Sequence, residues 1–368
     1  MLEKLTKPTL LLDAEKCHRN IRRMQQKATA QKVIYRPHFK THQSAAIAQW
    51  FAEGGVSKIT VSSVSMAQYF ANHGWSDILI AFPLNLAEID QIAKLASEIR
   101  LSVVVENIEA IRALSSAPIH AIDVYIKIDT GYHRTGVLVE DHEPAQRLID
   151  AIDKQPSLRF RGFVVHNGHT YHASHPQQVI DIHQQSVEAL NRLRQSVISK
   201  SKEVLISVGD TPSMSLVEDF TGVDEIRPGN FVFYDVMQQQ IGACTYDDIA
   251  VVLACPVVAI HKLRNEITIY GGAIHLSKES INNIDDIPIY GKIVSLTGKG
   301  WSSPWEDSYM KALSQEHGII RTTSEYINQI SIGDFLGILP THSCLTTHLM
   351  RDMITTSGQT ITTMQSIK

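Results

Sequence analysis

The residues of this chain best suited to chemistry are a lysine, a run of histidines and a histidine–cysteine pair, each placed where an apolar stretch ends. Lys40 lies in Arg36-Pro37-His38-Phe39-Lys40-Thr41-His42, directly after a short strand-like run. Burial penalises the charged form of an amine, so a lysine kept at the end of a buried strand pairs with an anion or forms a Schiff base with a carbonyl. The alternative is a strand-end lysine that points into solvent. His342 and Cys344 lie in Pro340-Thr341-His342-Ser343-Cys344-Leu345. In an extended segment the two residues of a His-x-Cys pair project to the same side, so imidazole and thiolate could share one metal ion and leave positions open for substrate and water. A half-buried cysteine beside an unrelated histidine is the competing reading.

Other polar segments also follow apolar runs. Residues 127–136 read Lys-Ile-Asp-Thr-Gly-Tyr-His-Arg-Thr-Gly, where the glycines permit a tight loop. Arg134 there offers a planar fork of donors to an oxygen anion, or neutralises Asp129. His166, His169, His172 and His175 recur at three-residue intervals, a count that suggests a metal cluster. They lack a thiolate, a carboxylate or an evident helix to align them, and one or two of them lining a pocket is the better reading. Gly209, Thr211 and Gly229 supply backbone N–H groups and a hydroxyl of the kind that cradle a phosphate without a Walker lysine. Residues 315–318, Gln-Glu-His-Gly, form a further polar cluster that is substrate-facing or structural rather than ligating.

These groups need a frame to bring them together. Short β-rich runs at residues 9–12, 33–35, 59–62, 78–82, 101–105, 124–128, 160–165 and 204–208 alternate with amphipathic helical patterns. Strands that are almost wholly apolar and separated by helices specify parallel pairing with both faces covered. Eight such units in about 230 residues suit a closed barrel, and no glycine-rich dinucleotide fingerprint follows the first run. Beyond Tyr234 the rhythm changes to strands and turns at 249–260, 266–270, 291–296, 316–321, 334–339 and 360–367, with one short helical pattern at 308–313. The expected class is α/β: a (β/α)8 TIM barrel over residues 8–235, then a mostly antiparallel β domain over 236–368 that also takes residues 1–7 and carries the metal pair. Such a barrel gathers its catalytic residues at the carboxyl ends of the strands, where Lys40 and the loops above would fall.

Composition narrows the partners. Lysine and arginine total 34 against 38 aspartates and glutamates, interspersed along the chain, so there is no basic stripe for nucleic acid. No stretch approaches a membrane span, and the amino terminus lacks a signal-like apolar core, so a cytoplasmic protein with a small-molecule substrate is expected. The 4 cysteines lie far apart, which excludes a disulfide framework and a four-cysteine zinc site.

Taken in order, these segments resemble the fold type III, alanine-racemase-like pyridoxal 5'-phosphate (PLP) enzymes, and within them the D-serine dehydratase and D-threonine aldolase branch. The matches are RPHFKTH at 36–42, KIDTGYHRTG at 127–136, GDTPS at 209–213, EIRPGNFVFYD at 225–235, GGA at 271–273, QEHG at 315–318 and PTHSCLT at 340–346. They run in family order over nearly the whole chain. The resemblance implies Lys40 as the Schiff-base lysine and the base at the substrate Cα, with Arg134 near the cofactor phenolate oxygen. It implies Gly209, Thr211, Gly229 and Asn230 around the phosphate, with Tyr234 as a further contact. Arg227 aligns with the arginine that faces the pyridine nitrogen in the racemases. Tyr171 falls where a pocket tyrosine of the branch lies, and His169 is the candidate base from the histidine run; both join Lys40 in the expected catalytic set. His342 and Cys344 match the metal pair of the dehydratases, for zinc or alternatively manganese.

The implied activity is a PLP- and metal-dependent lyase acting on D-3-hydroxy amino acids, converting D-serine to pyruvate and ammonia and D-threonine to 2-oxobutyrate. A D-threonine aldolase yielding glycine and an aldehyde uses the same parts. Two-base racemisation is disfavoured, because the racemases lack the His-x-Cys pair. A non-catalytic PLP-binding protein is the reading from another class, and its small barrel-only examples lack a β domain of this size. A homodimer is the family expectation.

Overall fold

The computed structural model describes residues 5–201 and 203–365. Its chain divides into two compact units, one holding Arg23–Lys40 and Ala48–Gly229, the other the residues up to Arg22, Thr41–Ile47 and Asn230–Gln365. The first apolar run, β1 (Thr9–Leu12), pairs within the second of these and is not a barrel strand. Its buried leucines suit any strand covered on both faces, so their pattern alone does not tell which sheet takes them.

The first unit is the (β/α)8 barrel. Its strands are β2 (Ile34–Tyr35), β3 (Ile59–Val61), β4 (Asp77–Pro83), β5 (Arg100–Val105) and β6 (Ile122–Asp129), the short β7 (Val137–Leu138) paired to β6, then β8 (Leu158–Val165), β9 (Leu205–Val208) and β10 (Glu225–Ile226). All pair in parallel in the order β2-β10-β9-β8-β6-β5-β4-β3. A parallel bridge between His38 and Thr60 closes the ring, with Phe39 N–H donating to Thr60 O and Thr60 N–H to Pro37 O, each at 2.9 Å. Every residue of β6 is buried, as a strand covered on both faces requires. Leu79, Val104, Tyr125, Val164 and Leu205, from five strands, pack into one cluster.

The eighth strand is therefore β10, two residues long and led by a buried glutamate that no apolar pattern reveals. Glu225 is held by Arg36, whose Nε donates to it at 2.7 Å while Nη1 reaches Asp77 at 2.6 Å. Burial opposes the Arg36 charge, but Glu225 and Asp77 outweigh it and keep the guanidinium protonated. Lys40 accordingly leaves the first barrel strand, not the second. The strands alternate with α1 (Ala14–Ala30), α2 (Ala45–Glu53), α3 (Val64–Ala71), α4 (Ile89–Glu98), α5 (Ile108–Ser116), α6 (His142–Asp153), α7 (Pro176–Ser196) and α8 (Thr211–Leu216). Side chains fix several starts: Ser63 Oγ accepts Met66 N–H and Asn107 Oδ1 accepts Ala110 N–H.

The second unit is built on antiparallel strands: β11 (Val251–His261), β12 (Glu266–Tyr270), the hairpin β13 (Ile281–Asn282) and β14 (Pro288–Ile289), β15 (Gly291–Thr297), β16 (Gly300–Trp301), β17 (Tyr309–Leu313), β18 (His317–Arg321), β19 (Phe335–Pro340), β20 (Met353–Thr355) and β21 (Thr360–Ile361). The order β12-β18-β17-β15-β19-β11, with β11 pairing back to β12, closes a small antiparallel barrel, to which β1, β20 and β21 add along β11. The helical pattern at 308–313 is β17 instead. Its Met, Lys, Ala and Leu favour a helix locally, but pairing with β15 and β18 overrides that propensity. Short helices α9 (Val236–Ile241), α10 (Ala273–Leu276), α11 (Ser324–Ile327) and α12 (Ser343–Met350) connect these strands. Residues 1–4 and 366–368, expected in the β domain, lie outside the described residues. No helix among the described residues is long and apolar enough to cross a membrane.

Candidate active site

In the barrel unit, Phe39 is fully buried among Phe51, Phe70 and Trp75, each ring centroid 5.0 Å away. That anchor fixes the backbone of the next residue. Lys40 itself is exposed, so the expected burial of its ammonium is not what the fold provides. Its charge instead acts on His166, a half-buried ring whose Nδ1–H donates to Gly209 O. Burial first, then Lys40, and more weakly Arg134 and Lys127, hold the His166 pKa well below the usual value. A neutral imidazole with Nδ1 engaged presents only Nε2, as an acceptor. Lys40 and Arg134 are thus brought to one histidine.

Arg134 does not neutralise Asp129. That carboxylate accepts the N–H groups of Gly131, Tyr132 and His133 through Oδ1, which winds the loop beneath it. Arg134 lies exposed over the Tyr132 ring, 5.1 Å from its centroid. His169 stacks on the same tyrosine with centroids 6.2 Å apart. Burial lowers its pKa, and its Nδ1 is buried without a hydrogen-bond partner. Among the described residues no group of three or more histidines, cysteines or carboxylates is clustered for a metal. The histidine run diverges because residues 168–172 form a 3-10 turn and His175 caps α7 by accepting Gln178 N–H.

Gly209 and Thr211, two of the residues expected around a phosphate, lie in the turn after β9. Asp210 caps α8 by accepting Ser213 N–H at 2.8 Å, and burial raises its pKa to about 6. Thr211 N–H donates to the Tyr171 hydroxyl at 3.3 Å, and Thr211 Oγ1 is buried with no partner. A methyl group on Gly209 would come within 2.9 Å of the Arg227 guanidinium, so the glycine permits that approach. Arg227 donates from Nε to Ser207 Oγ and from Nη2 to Val165 O, and burial lowers its pKa to about 10, leaving it charged at neutral pH. Gly229, also buried, ends this unit.

In the β unit, Asn230 Nδ2 donates to Asp235 at 2.7 Å and Ser343 Oγ at 3.0 Å and lies 3.5 Å from Cys344 Sγ; its Oδ1 is buried without a partner. Tyr234 is buried at a positive φ of 50°, its N–H donating to Asn230 O. Asp235 Oδ2 accepts Ser343 N–H at 2.9 Å, fixing the start of α12. The His-x-Cys segment is not extended throughout: His342 is the extended residue before α12 and Cys344 lies in its first turn. The two side chains are still close enough for Cys344 to favour the His342 charge. Burial opposes a charge on His342, but Cys344, Glu279 and Asp235 together raise its pKa to about 11. Thr41 Oγ1 lies 3.2 Å from Cys344 Sγ.

Both implied groups fit the residues present. Phosphate has the orphaned Thr211 hydroxyl, the glycine at 209 and the charged Arg227; a divalent ion has imidazole and thiol side by side, a donor set suited to zinc. The motifs did not single out Lys127, Asp210, Asp235 or Glu279. Lys127 had a signal, being the lone cation inside an apolar strand, and so had Asp210, an N-cap aspartate three residues before Ser213, whereas Asp235 and Glu279 meet Ser343 and His342, partners distant in sequence.

The family model described as "Alanine racemase, N-terminal domain" matches residues 12–236. The chain belongs to this alanine racemase N-terminal domain family. A second model, "Putative serine dehydratase domain", matches residues 250–356 of the same family member. Among curated relatives, the D-threo-3-hydroxyaspartate dehydratase of Delftia sp. (strain HT23) is 29% identical over 93% of this chain and 92% of its own. The D-serine dehydratase of Dictyostelium discoideum is 28% identical over 95% and 93%. A solved cysteine-to-alanine variant of D-threo-3-hydroxyaspartate dehydratase, in the metal-free form, superposes with a TM-score of 0.88 at 26% identity, covering 99% of each chain.

Proposed function

We propose that this protein is a PLP- and metal-dependent lyase of D-3-hydroxy amino acids that dehydrates D-serine to pyruvate and ammonia. The observation that carries the reading is the placement of His342 and Cys344 together at the start of α12, with Cys344 Sγ 3.2 Å from Oγ1 of Thr41, the residue that follows Lys40 in the chain. Pyridoxal 5'-phosphate supplies a sink for the electron pair left at Cα, and a divalent ion, zinc before manganese, supplies a Lewis acid for a departing hydroxyl.

The chain's own residues do the rest. Lys40 Nζ would hold the cofactor's carbonyl group and, as a free amine, would take the Cα proton. Arg134 would pair with the phenolate oxygen; neutral His166, donating to Gly209 O, adds no second cation beside Lys40. Gly209, Thr211, Gly229 and Asn230 would hold the phosphate, with Tyr234 as a further contact; Tyr171 is steadied by the Thr211 N–H. Arg227 would face the ring nitrogen. His342 and Cys344 would hold the ion that assists loss of the 3-hydroxyl. His169, with its unpartnered Nδ1 and lowered pKa, is the base that a retro-aldol cleavage would need. None of the 4 cysteines is in a disulfide, which suits the reducing cytoplasm, and the active form is a homodimer.

Purified protein given D-serine, D-threonine and D-threo-3-hydroxyaspartate, with 2-oxo acid, glycine and aldehyde assayed in parallel, tests the assignment. Oxo acid plus ammonia is expected. Glycine plus aldehyde would make it an aldolase, and no turnover of any D-amino acid would favour a PLP carrier. Lys40→Ala should lose the visible absorbance of the bound cofactor together with turnover, and a retained band would remove Lys40 from the mechanism. Light scattering of the purified protein reads the oligomer directly.

A further inference from the structure

His342 does not reach the metal pair unaided. Its Nδ1 lies 3.1 Å from Glu279 Oε2, and Glu279 follows the tight turn after α10. That turn is well anchored. Ser277, at a positive φ of 70°, donates its N–H to Ala273 O at 2.8 Å, and its Oγ accepts Glu279 N–H at 3.2 Å. Thr346 Oγ1 of α12 lies 3.4 Å from Leu276 O, tying the helix that follows His342 to the segment that carries Glu279. The carboxylate therefore meets the imidazole from a backbone fastened to the helix bearing Cys344.

An imidazole has two nitrogens, and the hydrogen bond made by one decides which is left to ligate. With Nδ1–H donated to Glu279, the proton that a metal ion would displace is the one on Nε2, whose lone pair then ligates. We propose that Glu279 is the positioning residue of the metal pair, fixing the His342 tautomer and ring orientation so that two protein ligands suffice to retain a divalent ion. This rests on the metal reading above and adds a residue to it. A carboxylate behind a ligating histidine also raises the basicity of the ring, and loss of such a partner weakens metal affinity by about 10–100-fold. Glu279 is 41% exposed, so its replacement opens no core cavity.

The test is zinc affinity of the cofactor-loaded protein, measured by competition with a chromogenic chelator, beside the cofactor absorbance and melting temperature of each variant. Glu279→Ala should weaken zinc about 10–100-fold with absorbance and melting temperature unchanged. Glu279→Gln, which keeps an acceptor oxygen for Nδ1–H, should lose clearly less. His342→Ala should abolish the site. Equal affinity in wild type and Glu279→Ala, with His342→Ala dead, overturns the role of Glu279 and leaves the metal reading intact. Glutamine falling as far as alanine overturns positioning in favour of a direct carboxylate ligand. A wild-type protein that binds no zinc ends both ideas.

Discussion

Inside β6 the Lys127 ammonium donates to Ile128 O at 3.0 Å, while Arg227 and Arg134 repel it. Burial is the larger effect, and together they bring its pKa from 10.5 down to about 7. The unfolded chain therefore holds a proton that the folded protein gives up as pH rises above about 7, and stability at this site grows with pH until the unfolded lysine also deprotonates near 10.5. Below pH 7 both states are protonated and the cost of the buried cation is carried in full. Urea unfolding of the cofactor-free protein at pH 7 and 9 should show wild type gaining on the order of 2 kcal/mol relative to Lys127→Met. Parallel pH dependences for the two proteins would refute the shift. At this scale the sequence disclosed Lys40 by its position and motif but not its exposure, which depends on Phe51, Phe70 and Trp75 taking the neighbouring Phe39 inward.

Elements long enough to show a period were legible, and short ones held by distant partners were not. The helix pattern at 177–199 became α7 within a few residues, as an amphipathic face of that length leaves few alternatives. β10 was missed because it is two residues stabilised by Arg36, and α12 was missed because its start is set by Asp235, more than a hundred residues earlier. Asp235 has three tasks: Oδ1 caps α9 through Gln238 N–H at 3.0 Å, and Oδ2 accepts from Asn230 and from Ser343 N–H. Asp235→Ala strands these donors in a buried setting. The expected loss is about 3 kcal/mol of unfolding free energy, from one helix cap and two orphaned donors, measured by urea denaturation. Asp235→Asn, which keeps acceptor capacity on one oxygen, should lose less; equal losses would mean that the carboxylate charge, not its geometry, holds α12.

At the scale of the molecule, the change of rhythm near residue 235 marks where the parallel strands give way to antiparallel ones. It cannot mark a segment as short as Thr41–Ile47, assigned to the β unit and bonded there by Gln43 O to Met364 N–H at 2.6 Å. Each unit also carries its own share of the proposed chemistry. Lys40, Arg134, Thr211 and Arg227 belong to the barrel, while His342, Cys344 and Glu279 belong to the β unit. This separation predicts that metal and cofactor can be lost independently. The bonds of Asp235 to Asn230 and Ser343 and of Glu279 to His342 lie within the β unit, so stripping the ion leaves the Thr211 hydroxyl, the Gly209 turn and the Arg227 bonds as they were. Treatment with excess chelator should therefore abolish oxo-acid formation from D-serine while the cofactor absorbance persists, and added zinc should restore turnover. Turnover that survives complete removal of the ion, verified by elemental analysis, would detach His342 and Cys344 from the reaction. Loss of the cofactor band along with the metal would show instead that the two sites stand or fall as one.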